Sequence, residues 1–134
     1  MTTTTLIKTP RTLVAAGTSN AAGATTRGTV DLRTPHGGLL TLKITNGGTG
    51  PTVQCEGRVM IAHTAGATPA AASAGADWKT IWRFNGGTPA NAITEQSYRV
   101  GPGEMHLQTE FTGNTGQAVT IEAFLSEVTS ASTV

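Results

Sequence analysis

The stretch that decides the fold runs Met105-His106-Leu107-Gln108-Thr109-Glu110-Phe111-Thr112, then Gly113-Asn114-Thr115-Gly116-Gln117, then Ala118-Val119-Thr120-Ile121-Glu122-Ala123-Phe124-Leu125. Two segments of alternating polarity flank a turn built from Gly, Asn and Thr. Successive side chains of a strand point to opposite faces, so a period of two with one apolar face marks a half-buried strand. In the second segment Val119, Ile121, Ala123 and Leu125 share one face. Glu110 and Glu122 fall on the polar faces of their segments, as solvated sheet surfaces allow. The turn between them holds no nucleophile and no ligand set. Antiparallel β structure is the direct reading.

The same alternation extends outward from this stretch. Leu39 to Thr45 places Leu40, Leu42 and Ile44 on one face and Thr41, Lys43 and Thr45 on the other. Val53 to Ile61 places Val53, Cys55, Val59 and Ile61 on one face, with Gln54, Glu56, Arg58 and Met60 opposite. Gly57 falls on the inward face of that segment, where a glycine marks a bulge or a close backbone approach. Asp77 to Asn85 places Trp78, Thr80, Trp82 and Phe84 together, and Ile93 to Val100 carries Tyr98 and Val100 on one side. Thr29 to Arg33 is a short strand ended by Pro35 and Gly37-Gly38, and Val119 to Thr129 closes the set. Gly-rich and Pro-rich turns separate these runs, and Thr, a β-branched residue suited to strands, is abundant.

About seven or eight short strands at regular spacing predict a sandwich or barrel. Parallel pairs need long crossover connections, and no helical pattern of any length is present to supply them. The expected class is all-β, an antiparallel two-sheet sandwich, first a jelly roll and second an immunoglobulin-like sandwich. The phrase Asn46-Gly47-Gly48-Thr49 returns as Asn85-Gly86-Gly87-Thr88. Both copies end a strand, and we read them as shared turn chemistry rather than a duplication.

Residues 1–28 read differently. They are rich in Thr, Ala and Gly, and Leu6-Ile7 and Leu13-Val14 are their strong apolar pairs. This segment is expected to be an extended N-terminal arm or a weak edge strand, with the sandwich domain over 29–134. Thr64 to Gly75 is expected to be an exposed loop, because its Ala70-Ala71-Ala72 run is short, uncapped and flanked by Gly.

The 134 residues fit one domain and can bury a core without disulfides or metals. Charged residues make up 13% of the chain and the formal net charge is +1, so a phosphate-neutralising surface is not expected and nucleic acid is not a predicted partner. A lone cysteine, Cys55, gives no disulfide framework. The Thr-rich start lacks a charged region followed by an apolar run, and no apolar stretch approaches the roughly 20 residues of a membrane span. The expectation is a chain made in the cytosol, with no membrane association.

No candidate chemistry survives comparison with the plain structural reading. Cys55 would need His63 or His106 beside it to act as a nucleophile, and its alternation places it among apolar neighbours. His36, His63 and His106 form no metal-site spacing. Two isolated acids, such as Glu110 and Glu122, could be drawn as a glycosidase pair, but nothing local favours it. Acid-rich calcium loops and a glycine-rich strand-to-helix loop are both missing. No enzymatic activity, cofactor or metal is therefore expected. Trp78 and Trp82, four residues apart, are either core or an exposed platform for a sugar ring; core is the favoured reading, since large aromatics supply much of the burial in an aromatic-poor chain.

The run from Asp77-Trp78 through Tyr98-Arg99 to Thr112-Gly113-Asn114-Thr115-Gly116-Gln117-Ala118-Val119-Thr120-Ile121-Glu122-Ala123, with the phrase from Leu42 to Pro51, resembles small bacteriophage structural proteins. These are capsid cement or decoration proteins with a jelly-roll β-sandwich, related in shape to carbohydrate-binding modules. The similarity covers residues 39–128 and rests on turn and strand phrases rather than a chemical signature. It implies a virion protein on the capsid surface, made in the host cytoplasm, that clamps neighbouring major capsid subunits, commonly as a homo-oligomer. The alternatives are a carbohydrate-binding module with a surface glycan as partner, or a tail or head fibre component. The expected partner-binding residues are Thr4, Leu6, Ile7, Leu13 and Val14 of the arm, with Asn114 and Thr115 of the closing turn.

Overall fold

Eight strands form in chain order: β1 (Thr4–Asn20), β2 (Thr26–Asp31), β3 (Gly38–Asn46), β4 (Glu56–Ala62), β5 (Lys79–Asn85), β6 (Ile93–Val100), β7 (His106–Thr112) and β8 (Val119–Thr133). The computed structural model describes residues 3–64, 68–71 and 77–133. Thus Met1 and Thr2 of the expected arm, and much of the expected Thr64–Gly75 loop, lie outside the described residues.

The strands build two antiparallel sheets, ordered β1-β8-β3-β6 and β2-β7-β4-β5. β1 pairs with β8, β2 with β7, β3 with β6 and β4 with β5. Four antiparallel pairs rolled up in this nested order are the connectivity of a jelly roll, the first of the two expected sandwiches. Only the β4–β5 connection joins neighbours of one sheet; every other connection passes from one sheet to the other.

The period-two faces read from the sequence meet between the sheets. Leu40, Leu42 and Ile44 of β3 and Ile121, Ala123 and Leu125 of β8 pack against Val30, Val59, Phe84, Leu107 and Phe111 from the other sheet. Each of the Val, Leu, Ile and Phe side chains contributes roughly 1.5–3 kcal/mol when fully buried. Cys55 lies in the same core, where burial pushes its thiol pKa up to about 11. Gly57 marks a close approach: a Cβ there would run into the Phe84 ring.

Residues 4–20 are not a free arm. They form the edge strand of the first sheet, paired with β8 from Thr4↔Thr133 to Asn20↔Val119. Thr26 to Asp31 likewise belongs to the second sheet. The pairing of β1 shifts register between Ile7 and Lys8, between Thr12 and Val14, and between Val14 and Thr18. These irregularities scramble the alternation that would have advertised a strand.

The two Asn-Gly-Gly-Thr phrases meet. Asn46 Nδ2 donates to the carbonyls of Gly87 (3.1 Å) and Pro89 (2.9 Å), so the first phrase holds the second at one end of the sandwich. At the same end, the Asn114 amide donates to the carbonyls of Asn20 (3.1 Å) and Gln117 (3.0 Å) and accepts from Asn20 Nδ2 (2.6 Å).

Candidate interaction surface

The two outward faces of the sandwich differ in how they are finished. On the β2-β7-β4-β5 sheet, Arg27, Glu110, Arg58 and Arg83 lie in one row across all four strands. Glu110 receives Arg27 Nε at 2.7 Å and Arg58 Nη1 at 3.0 Å, and its side chain is only 3% exposed. Glu56 receives Arg58 Nε at 2.8 Å, and Arg83 lies 3.5 Å away. The hydrogen bond from Arg58 holds the Glu56 carboxyl below its ordinary value. One row further along, Met60 and Trp78 are buried on this outward side, with Ala70 of the β4–β5 connection packed over them. Gln108, also fully buried, donates from Nε2 to the carbonyl of Ala70 at 2.9 Å and accepts from its N–H at 3.2 Å. The Trp78 indole donates to the carbonyl of Thr68 at 2.7 Å. Thr68 to Ala71 of the connection thus form a lid, in which the Ala70 N–H and carbonyl and the Thr68 carbonyl are satisfied by Gln108 and Trp78 beneath them.

Trp78 and Trp82 do not share a face. β4 pairs Val59 with Trp82 but Met60 with Thr80, so one extra residue sits in β5 between the two tryptophans. The bulge sends Trp78 outward, under the lid, and leaves Trp82 on the core side. Trp82 is half-buried and stacks on Phe84 (5.4 Å between ring centroids) and Tyr98 (5.7 Å), bridging the edge strands β5 and β6.

The outward face of the β1-β8-β3-β6 sheet has no such cover among the described residues. Leu39 is 46% exposed, Phe124 38% and Ile93 64%. Lys8, Leu39, Arg99, Ser126 and Val128 line a groove of 740 Å³ on this face. β8 pairs with β3 only as far as Glu127, whereas its pairing with β1 continues to Thr133. Val128 is still held by the backbone of His36 and Gly37, so Thr4 to Ile7 and Ser130 to Thr133 form a two-stranded ribbon running past the end of the sheet. Leu6 and Ile7, on this ribbon, are 55% and 50% exposed.

The expected partner-binding residues separate into two groups. Thr4, Leu6, Ile7 and Thr115 are exposed, although Thr115 also bridges to Val53. Val14 is buried in the core and Leu13 packs against it. Asn114 is fully buried, its amide occupied by the closing loops, so it presents nothing to a partner. Val14 and Asn114 are thus covered by the chain itself, while Leu13 is only half-buried.

The residues weighed for chemistry are not brought together. Cys55 is in the core, His36 and His63 are exposed, and His106 is buried on the lidded side. Glu110 and Glu122 belong to different sheets. Glu127 lies 3.4 Å from Arg11, and its Oε2 is buried without a partner among the described residues. Asp31 is engaged by Arg33, whose guanidinium holds its carboxyl well below the usual carboxylate range. No group of three or more His, Cys, Asp or Glu among the described residues is placed to hold a metal ion. Among those residues, no helix is long and apolar enough to cross a membrane.

Leu39, Phe124, Glu95 and Arg99 were not singled out by the sequence reading. The signal for two of them is the doublets Leu39-Leu40 and Phe124-Leu125. Consecutive apolar residues on a strand must point to both faces, so each doublet places one apolar side chain outside.

No protein-family model matches the chain, and no curated protein is similar to it in sequence. Solved structures are similar in fold. The K3 cleaved adhesin domain of Lys-gingipain from Porphyromonas gingivalis w83 matches with a TM-score of 0.56 and 12% identity, over 81% of this chain and 71% of that one. A chain of the T13 IBDV viral particle matches with a TM-score of 0.51 and 8% identity, over 92% of this chain but 31% of that one. The SPBc2 prophage-derived protein YomS matches with a TM-score of 0.44 and 16% identity, over 91% and 95% of the two chains. At these identities the likeness is one of fold, the all-β sandwich of two antiparallel sheets.

Proposed function

We propose that the chain is a non-enzymatic structural protein of a bacteriophage particle that binds the outside of the capsid and stabilises it by bridging major capsid subunits. The observation that carries this reading is the ribbon with its exposed Leu6 and Ile7. A two-stranded ribbon by itself is marginal in water and gains from lying against a partner. Burying a Leu or Ile fully contributes roughly 1.5–3 kcal/mol, and the free edge of β1 can add backbone hydrogen bonds to a neighbour's sheet. Repetition over a symmetric shell turns such modest contacts into tight retention. A jelly roll is also an architecture used in viral capsid and lectin domains.

The test is a Leu6→Asp/Ile7→Asp variant mixed with phage capsids and sedimented. Occupancy is expected to fall by about tenfold or more, which corresponds to the loss of about 1.4 kcal/mol of binding. The melting temperature should stay close to that of the parent. Unchanged occupancy would overturn the reading. Deleting residues 2–20 would be a poorer test, because it removes the whole of β1 and the core residue Val14.

A carbohydrate-binding module is the second reading, favoured by the half-buried Trp82 and Tyr98 at the β5–β6 edge. A sugar ring would stack there. Glycan retention that disappears in Trp82→Ala, with the melting curve preserved, would support it over capsid docking.

A further inference from the structure

The outward face of the β1-β8-β3-β6 sheet is patterned in rows. Arg99, Leu39, Ser126 and Pro10 lie side by side across its four strands. The next row holds Ser97, Thr41, Phe124 and Thr12, and the one after it Glu95, Lys43 and Glu122. The charge on the outermost strand therefore inverts about the middle row, from Arg99 on one side to Glu95 on the other. Both residues are exposed, and neither makes an ion pair among the described residues. The half-exposed Phe124 sits in the middle row.

We infer that this face is the interface of a twofold homodimer, in which Arg99 of one copy meets Glu95 of the other. A twofold contact needs a surface complementary to itself, with residue i meeting j and j meeting i. A twofold axis lying in the interface along the middle row turns the first row of one copy onto the third row of its mate. Arg99 then faces the second copy's Glu95, and Glu95 faces the second copy's Arg99. Ser126 comes opposite Glu122, where its hydroxyl can donate to the carboxylate. Leu39 lies over the aliphatic stem of Lys43, a surface that a lysine offers readily. Phe124 meets its own counterpart, covering the largest exposed ring of the face. The strands of the two copies run nearly aligned, as facing sheets do. A face of one charge sign would repel its own copy; this inverted pattern attracts it, and an unrelated partner would place no such demand on it.

The inference is independent of what the ribbon docks on. Its test is analytical ultracentrifugation of the full chain from about 1 µM to about 1 mM, a range that covers weak to moderate dimers. The parent chain is expected to dimerise. By symmetry, Arg99→Glu and Glu95→Arg each create two like-charge contacts, so each should weaken the dimer by about tenfold or more. The combined Arg99→Glu/Glu95→Arg variant should return to within about threefold of the parent, the signature of direct coupling. Phe124→Asp should give a monomer with a preserved melting transition, whereas Leu6→Asp/Ile7→Asp should dimerise like the parent. A parent chain that stays monomeric at the highest concentration would overturn the inference. So would a dimer indifferent to both single charge reversals, or one lost in the ribbon variant.

Discussion

The two outward faces of this sandwich share the same strand geometry and have opposite finishes. On the β2-β7-β4-β5 side, Glu110 is nearly sealed beneath Arg27 and Arg58, and Met60, Trp78 and Gln108 lie under the β4–β5 connection. On the β1-β8-β3-β6 side, the partly exposed Leu39, Phe124 and Ile93 lie beside Lys8, Glu95 and Arg99, which make no ion pair among the described residues. An antiparallel sheet needs only one face in the core, so its other face is free to be closed by the chain itself or left for a partner. This molecule does the first on one side, and we propose that it does the second on the other.

Substitutions on the closed side should be felt as lost stability. The largest effect is expected for Trp78→Ala, which empties the space under the lid and orphans the Thr68 carbonyl. Removing a buried aromatic costs about 3–5 kcal/mol, to be read by denaturant unfolding. A loss under about 1 kcal/mol would mean that the lid is not packed on the sheet. Glu110→Ala comes next, since it leaves Arg27 and Arg58 facing each other across β7. Breaking such a pair costs about 2–4 kcal/mol here, toward the lower end of the buried range because both arginines keep some solvent.

The open side should respond differently. Phe124→Ser is expected to cost less than about 1 kcal/mol, because the ring is partly solvated already. A cost equal to that of Trp78→Ala would erase the distinction between the faces. The smallest effect is the acid response. Asp31 and Glu56 have carboxyls held below their ordinary values, each chiefly by an arginine side chain, and Asp77 by hydrogen bonds from Thr64 and His63. A depressed folded-state pKa gives stability that is complete above the unfolded value and lost as pH falls. Stability should therefore be flat at neutral pH and begin to decline as pH drops past 4.5, the ordinary value for Glu56, and then 3.8, that for the two aspartates. Replacing Glu56 by Gln should flatten the start of that decline.

Much of the fold was legible because β3, β7 and β8 alternate over most of their length, and inward residues such as Leu42, Leu107 and Ile121 form the core. β1 was harder to read because three register shifts break its period, and only its pairing with β8 makes it a strand. The Trp78 and Trp82 faces were misjudged by a single bulged residue, since one insertion flips every side chain beyond it. Glu110 was read correctly as outward-facing. Its burial depends on Arg27 and Arg58 arriving from strands far away in sequence, which no local pattern can show. Asn114 was read as an interface residue, yet its amide is consumed by the carbonyl of Asn20 at the end of β1 and that of Gln117 in its own turn. The open face was partly legible in the Leu39-Leu40 and Phe124-Leu125 doublets, where strict alternation fails.

The central claim is that partners engage the open side and its ribbon, not the closed side. The most direct measurement is capsid co-sedimentation of two variants beside the parent chain. One is Leu6→Asp/Ile7→Asp on the ribbon; the other is Arg83→Ser on the closed face, where the side chain is 60% exposed. The account expects the ribbon variant to lose about tenfold or more in occupancy, while Arg83→Ser binds like the parent. Loss confined to Arg83→Ser, or parental occupancy of the ribbon variant, would contradict it.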